Sequence, residues 1–86
     1  MQVKFTARAR ADLQRLSVKV CDRILEKLDW IANNPKARIE MLSGLPKHLE
    51  GLLKYRIGEY RFLFWLDDDE LTVYRIGHRS TIYKDI

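Results

Sequence analysis

A single cysteine, Cys21, leaves this chain without an internal disulfide. Cys21 and the two histidines, His48 and His78, do not cluster with zinc-ligand spacing, which excludes a zinc-organised domain. Neither a metal nor another cofactor is expected. No apolar run approaches the ~20 residues that a membrane span requires. Gln2 opens directly on a strand-like pattern, without the apolar stretch of a secretory leader. The expectation is a soluble, cytoplasmic protein of a reducing compartment, with no membrane partner. Repeats, linkers and low-complexity segments are also missing, so residues 1–86 are read as one domain. An apolar fraction of 47% disfavours disorder.

Acidic residues are unevenly placed. The net charge is +4, yet Asp67, Asp68, Asp69 and Glu70 are contiguous, while residues 75–84 hold Arg75, Arg79 and Lys84 and no acid. Segregation of this kind steers an anionic partner, although a modest positive total also serves solubility.

Residues 2–6 alternate around Val3 and Phe5 as a short strand, and Thr6 is placed to cap a helix. Ala9, Leu13 and Leu16 recur at helical spacing across residues 7–16. Ser17 is a second cap. Beyond it Cys21, Ile24, Leu25, Leu28, Ile31 and Ala32 form one apolar stripe, ended by Asn33-Asn34-Pro35. Cys21 therefore reads as a small core side chain and Trp30 as packing. Residues 38–42 are a candidate short strand, and Ser43-Gly44-Leu45-Pro46 is turn chemistry. Three strands follow at 52–57, 60–66 and 71–77, joined by a tight Gly58-Glu59 turn and by the acidic loop. The fold class is α+β: an N-terminal strand and an antiparallel helical hairpin packed on a three- to four-stranded, mainly antiparallel sheet.

Strand alternation then sorts the cations. Lys54 and Arg56 point away from Leu53, Tyr55 and Ile57. Arg61 points away from Tyr60, Phe62, Phe64 and Leu66, the face that should meet the helices. Pairing through Gly58-Glu59 brings Arg61 beside Lys54 and Arg56 on an uncovered, concave face, to which Gly77-His78-Arg79 and Tyr83 add an imidazole, a cation and a ring. Such a face suits metal-independent RNA cleavage. The ribose 2′-hydroxyl attacks the adjacent phosphate in line, cations hold the charge that develops, and an aromatic ring stacks on a splayed base. Spacing alone fits equally a basic face that only binds phosphates. His48, in the loop after Pro46, reads as a surface residue.

The sequence resembles the RelE/ParE superfamily of type II toxin–antitoxin systems, and its RelE branch in particular. The resemblance rests on Leu42-Ser43-Gly44, on the block from Leu53 to Arg61, and on Ile76-Gly77-His78-Arg79 with Tyr83 four residues later. It implies a compact sheet with a helical hairpin. For function it implies a ribosome-dependent endoribonuclease that cuts mRNA in the ribosomal A site and so inhibits translation. It implies a cognate antitoxin that wraps the toxin, with operator DNA contacted only through that antitoxin. By position, Lys54 matches a general base and Arg61 the arginine that stabilises phosphate charge. Arg79 matches an arginine of phosphate contact or leaving-group protonation, and Tyr83 the tyrosine that stacks on the mRNA base. Arg56 and His78 are RNA-binding candidates. A Glu–Arg–His set in some relatives leaves proton transfer open to His78 or Glu40 as well. Two other functions share this fold: inhibition of DNA gyrase, as in ParE-like relatives, and a non-catalytic role in an antitoxin–operator complex.

Overall fold

A computed structural model describes residues 2–34 and 39–84. Its elements run β1 (Gln2–Phe5), α1 (Ala7–Gln14), α2 (Val18–Asn33), β2 (Glu40–Met41), a short 3₁₀ turn (Lys47–Leu49), β3 (Leu53–Ile57), β4 (Tyr60–Leu66) and β5 (Glu70–His78). Pro35 and Arg38, the expected helix stop and the expected start of the short strand, lie outside the described residues.

Both caps form as the sequence indicates. Thr6 accepts the Ala9 amide at 3.1 Å and Ser17 accepts that of Val20 at 3.3 Å, each satisfying a first-turn N–H. The Thr6 hydroxyl also donates to the Tyr74 carbonyl at 2.8 Å, tying the start of α1 to β5.

The sheet order is β1-β5-β4-β3-β2. β2 through β5 are antiparallel neighbours, whereas β1 runs parallel to β5 and pairs Val3 with Leu71. The expected three- or four-stranded sheet thus gains the N-terminal strand as a fifth, and is mixed. Ile24, Leu28 and Ile31 of α2 and Ala9 of α1 bury against Ile57, Phe62, Phe64, Leu71, Val73 and Ile76. The stripe meets the apolar side of β4 through Ile24, Leu28, Ile31, Phe62 and Phe64, whereas Leu25 of the stripe and Leu66 of β4 are exposed at 43% and 37%.

Alternation fails at one place. Leu63 pairs with Arg75 and Phe64 with Val73, so Tyr74 is an extra residue in β5. This bulge lets Val73 and Ile76, three positions apart, both enter the helix-side core. Tyr74 packs on the opposite side. Arg75 is directed to α1, where its Nε and Nη2 donate to the two oxygens of Asp12 at 2.8 and 3.3 Å. Asp12 also accepts the amide of Ile76 at 2.9 Å. At the acidic end of the sheet Lys4 lies 3.0 Å from Glu70, and this bond holds the Glu70 carboxyl below its ordinary range. The pair's contribution is therefore present at neutral pH and fades as pH falls through that lowered value.

The Gly58-Glu59 turn carries a φ of 56° at Gly58, while no described non-glycine residue has a positive φ. This matches the hairpin turn with glycine in its first central place. Gly58→Ala should lower stability by about 1–2 kcal/mol in urea unfolding, because an L side chain resists that conformation. Asp12→Ala should lower it by about 3 kcal/mol, since the Arg75 guanidinium and the Ile76 amide both lose the carboxylate that accepts from them. Asp12→Asn should recover part of that loss.

Candidate active site

The β3–β4 turn sets the register of the cations. It places Arg56 directly opposite Arg61, and Lys54 opposite Leu63. Like charges facing each other across a strand pair are destabilising, so folding alone does not explain the Arg56–Arg61 pair. Arg61 is 8% exposed. Its Nη1 donates to the carbonyls of Gly58 and Tyr60, each at 3.0 Å. Among the described residues both side-chain hydrogen bonds of Arg61 run through Nη1. Arg56 is exposed beside it.

Lys54 sits one register step along the same side. Its Nζ is 3.4 Å from the Glu40 carboxylate and 5.9 Å from the centre of the Tyr83 ring. Glu40 is there because β2 pairs it with Lys54. Tyr83 arrives by a different route. After β5 the chain turns sharply, with the amides of Thr81 and Ile82 both donating to the His78 carbonyl at 3.0 Å. Ile82 then settles over the bare backbone of Gly77, 3.7 Å from where a Cβ would stand. Tyr83, the next residue, remains exposed with Lys54 under its ring.

This side of the sheet is not the uncovered hollow that alternation suggested. Leu52, Leu63 and Ile82 form a second buried cluster, with Leu42, Leu45, Trp65 and Tyr74 packed against it. The loop before β3 and the turn after β5 therefore roof its middle. Arg56 and Arg61 lie at the hairpin end, Lys54 is opposite Leu63 at the middle of β4, and the acids Asp67, Asp68 and Asp69 occupy the β4–β5 turn at the other end of β4. The strand between Arg61 and those acids spans roughly 20 Å.

His78 and Arg79 stand apart from the Lys54 group. His78 pairs with Tyr60, so it shares the side of Phe62 and Ile76 rather than that of Arg61. Its ring meets that of Tyr60 edge-on at 5.7 Å and helps line a cleft of 470 Å³ with Arg15 and Lys84. Arg79 follows it, and its Nε is 2.7 Å from the Glu59 carboxylate. The structure thus brings together Lys54, Arg56, Arg61 and Tyr83, and sets His78 and Arg79 around the hairpin tip beside Glu59. Sequence reasoning treated Glu59 only as a turn residue. Its role depends on where β5 ends relative to the turn, which a single strand pattern does not reveal. His48 is exposed in the 3₁₀ turn, as read from sequence. Trp30 is 45% exposed, with the Lys27 ammonium 5.0 Å from its ring, and so lies at the margin of the core. No group of three or more His, Cys, Asp or Glu able to hold a metal ion occurs among the described residues. No described helix is long and apolar enough to cross a membrane.

Fold and sequence together agree with one class of protein. Residues 3–83 match the family described as the ParE toxin of type II toxin–antitoxin systems, parDE. The toxin RelG of Mycobacterium tuberculosis is 34% identical over 86 residues, covering 95% of this chain and 94% of RelG. The toxin RelE of the same organism is 34% identical over 85 residues, covering 95% of this chain and 84% of RelE. Among solved structures, the M. tuberculosis RelBE2 toxin–antitoxin complex superposes with a TM-score of 0.74 at 28% identity, over 91% of this chain and 96% of the matched one. The intact Escherichia coli RelBE complex shares the fold, with a TM-score of 0.72 at 21% identity over 90% of this chain and 94% of the matched one. The chain belongs to the RelE/ParE family of type II toxin–antitoxin toxins.

The facing arginines give a direct test of the site's electrostatics. Arg56→Gln should raise the stability of the free protein at low ionic strength by a few tenths of a kcal/mol, measured by thermal unfolding. The gain should vanish at ~1 M salt, where the Debye length is about 3 Å.

Proposed function

We propose that the chain is a ribosome-dependent endoribonuclease that cleaves mRNA and thereby halts translation. The observation that carries this reading is the grouping of Lys54, Arg56, Arg61 and Tyr83 on one side of the β3–β4 hairpin, with two arginines at directly opposite positions of the strand pair. Such a pair is unfavourable without an anion between or beside its members, and a phosphodiester is an anion that the planar guanidinium fork fits.

In this reading the scissile phosphate lies against the free edge of Arg61, with Arg56 beside it. Fixing Arg61 through Nη1 to the turn carbonyls keeps the guanidinium in place before substrate arrives, so little reorganisation is needed as charge develops. Tyr83 stacks on a base and aligns the 2′-hydroxyl with the phosphorus. Lys54 stands next to that hydroxyl: its amine, having passed a proton to its partner Glu40, takes the proton that the 2′-hydroxyl loses. The 2′-oxygen bonds to phosphorus, the bond to the 5′-oxygen breaks, and the 5′-oxygen takes up a proton. The products are a 2′,3′-cyclic phosphate and a free 5′-hydroxyl. Arg79 and His78, farther round the tip, contact the neighbouring phosphate and donate to the leaving oxygen. A cognate antitoxin holds this face in resting cells, by analogy with the toxin–antitoxin complexes of the structural neighbours. Operator DNA is reached through that antitoxin.

Inhibition of DNA gyrase has less support. The curated relatives carry RelG and RelE names, and a gyrase inhibitor has no need of the clamp.

The decisive experiment adds purified protein to a translation mixture and maps mRNA 5′ ends. Wild type should cut ribosome-bound message, and Arg61→Ala should cut about 10²- to 10³-fold more slowly. Arg61 also braces the turn, so melting curves accompany the assay, and Arg61→Lys, which keeps the charge, should retain part of the activity. Intact message at high wild-type concentration would sink the proposal.

A further inference from the structure

Glu59 stands between two donors at the hairpin tip. Its Oε2 lies 2.7 Å from Nε of Arg79 and 3.8 Å from Nε2 of His78. The backbone fixes this meeting, because the Arg79 amide donates to the Glu59 carbonyl at 2.8 Å. His78 is also pre-oriented. Its Nδ1 accepts the Ser80 amide at 3.1 Å, so the neutral ring carries its proton on Nε2, the edge turned toward Glu59. One oxyanion between a guanidinium and an imidazole is the arrangement in which phosphate oxygens are bound. All three side chains are substantially exposed, at 59%, 61% and 42%, so another anion can exchange for the carboxylate.

We propose that Glu59 is a displaceable internal anion: it holds His78 and Arg79 in the free protein and releases them to a phosphodiester of a bound RNA strand. This deepens the nuclease reading and rests on it for the identity of the ligand. An exposed ion pair is weak, so exchange for a phosphate is close to balanced, and the free toxin keeps its two donors aligned without retaining a stray anion tightly. The sequence places the competitor where it is most effective. Glu59 is in the hairpin turn, fixed to the same two strands that carry Arg56 and Arg61, so an incoming strand reaches both places together.

The test reads binding without cleavage. The Arg79 Nε–H and His78 ring signals are followed by NMR during titration with inorganic phosphate, then with a 2′-O-methyl single-stranded oligoribonucleotide. Glu59→Gln should bind phosphate about two- to fivefold more tightly than wild type, with the response centred on residues 78 and 79. Its log–log salt slope for the oligoribonucleotide should be steeper by about 0.7, one additional counterion released. Asp68→Asn, with the same change in net charge at the far end of the sheet, should do neither. Glu59→Gln combined with Arg79→Ala should lose the gain. Glu59→Ser, with its fold checked by melting, guards against an effect peculiar to glutamine. Unchanged or weaker binding by both Glu59 variants would overturn the proposal, as would an equal gain from Asp68→Asn. A gain for inorganic phosphate but none for the oligoribonucleotide would overturn the assignment of the ligand to an RNA strand. Loss of mRNA cutting in the translation assay with these binding changes intact would count against the nuclease reading alone.

Discussion

The facing cations of the candidate site depend on the two-residue turn between β3 and β4. A hairpin this tight permits one register, and a slip of a single residue would turn every side chain of one strand to the other side. With the observed register, Phe62 and Phe64 enter the core while Arg61 faces Arg56. The core and the site are therefore fixed by the same constraint. The hydrophobic contribution of β4 stabilises an arrangement of cations that would not hold itself together. Arg61 strengthens the link by bonding to the carbonyls of the turn that positions it.

A second constraint shapes the opposite edge of the site. The bulge at Tyr74 directs Arg75 away from the other cations and into the Asp12 carboxylate, which also takes the Ile76 amide. One basic residue of β5 thereby becomes part of the scaffold, while those beyond the strand remain at the tip. The acids of the β4–β5 turn lie at the far end of the sheet. The molecule consequently has a positive end and a negative end, a distribution that orients it toward a polyanion during approach.

Much of this was legible in the amino-acid sequence, for identifiable reasons. Thr6 and Ser17 announce their helices because a hydroxyl before an apolar periodic run has one obvious use. The β3–β4 hairpin is legible because Gly58 lies between two alternating segments, and the bounds of β4 follow from its apolar alternation. The parallel pairing of β1 left no local trace, since it depends on a strand far along the chain. The bulge was also invisible, because an extra residue in β5 looks like ordinary alternation until its partner is known. His78, expected on the open face with Lys54, lies on the other side because β5 pairs it with Tyr60. The roof over the sheet depends on Ile82, an apolar residue in a short tail after β5, and nothing local marks it as buried. Glu59 was hidden for a similar reason, since its partner Arg79 becomes its neighbour only through three paired strands.

The parallel seam between β1 and β5 bears on how the toxin is made. Thr6, at the end of β1, bonds to Tyr74, 68 positions away, whereas β3 meets β4 across two residues. During synthesis the first strand and both helices leave the ribosome long before the strand they need, and closing so wide a loop is slow compared with zipping a hairpin. A nascent chain interrupted ahead of β5 has neither the seam nor the tail that brings Tyr83 over Lys54. The seam and the placement of Tyr83 over Lys54 thus form only after β5 has been made.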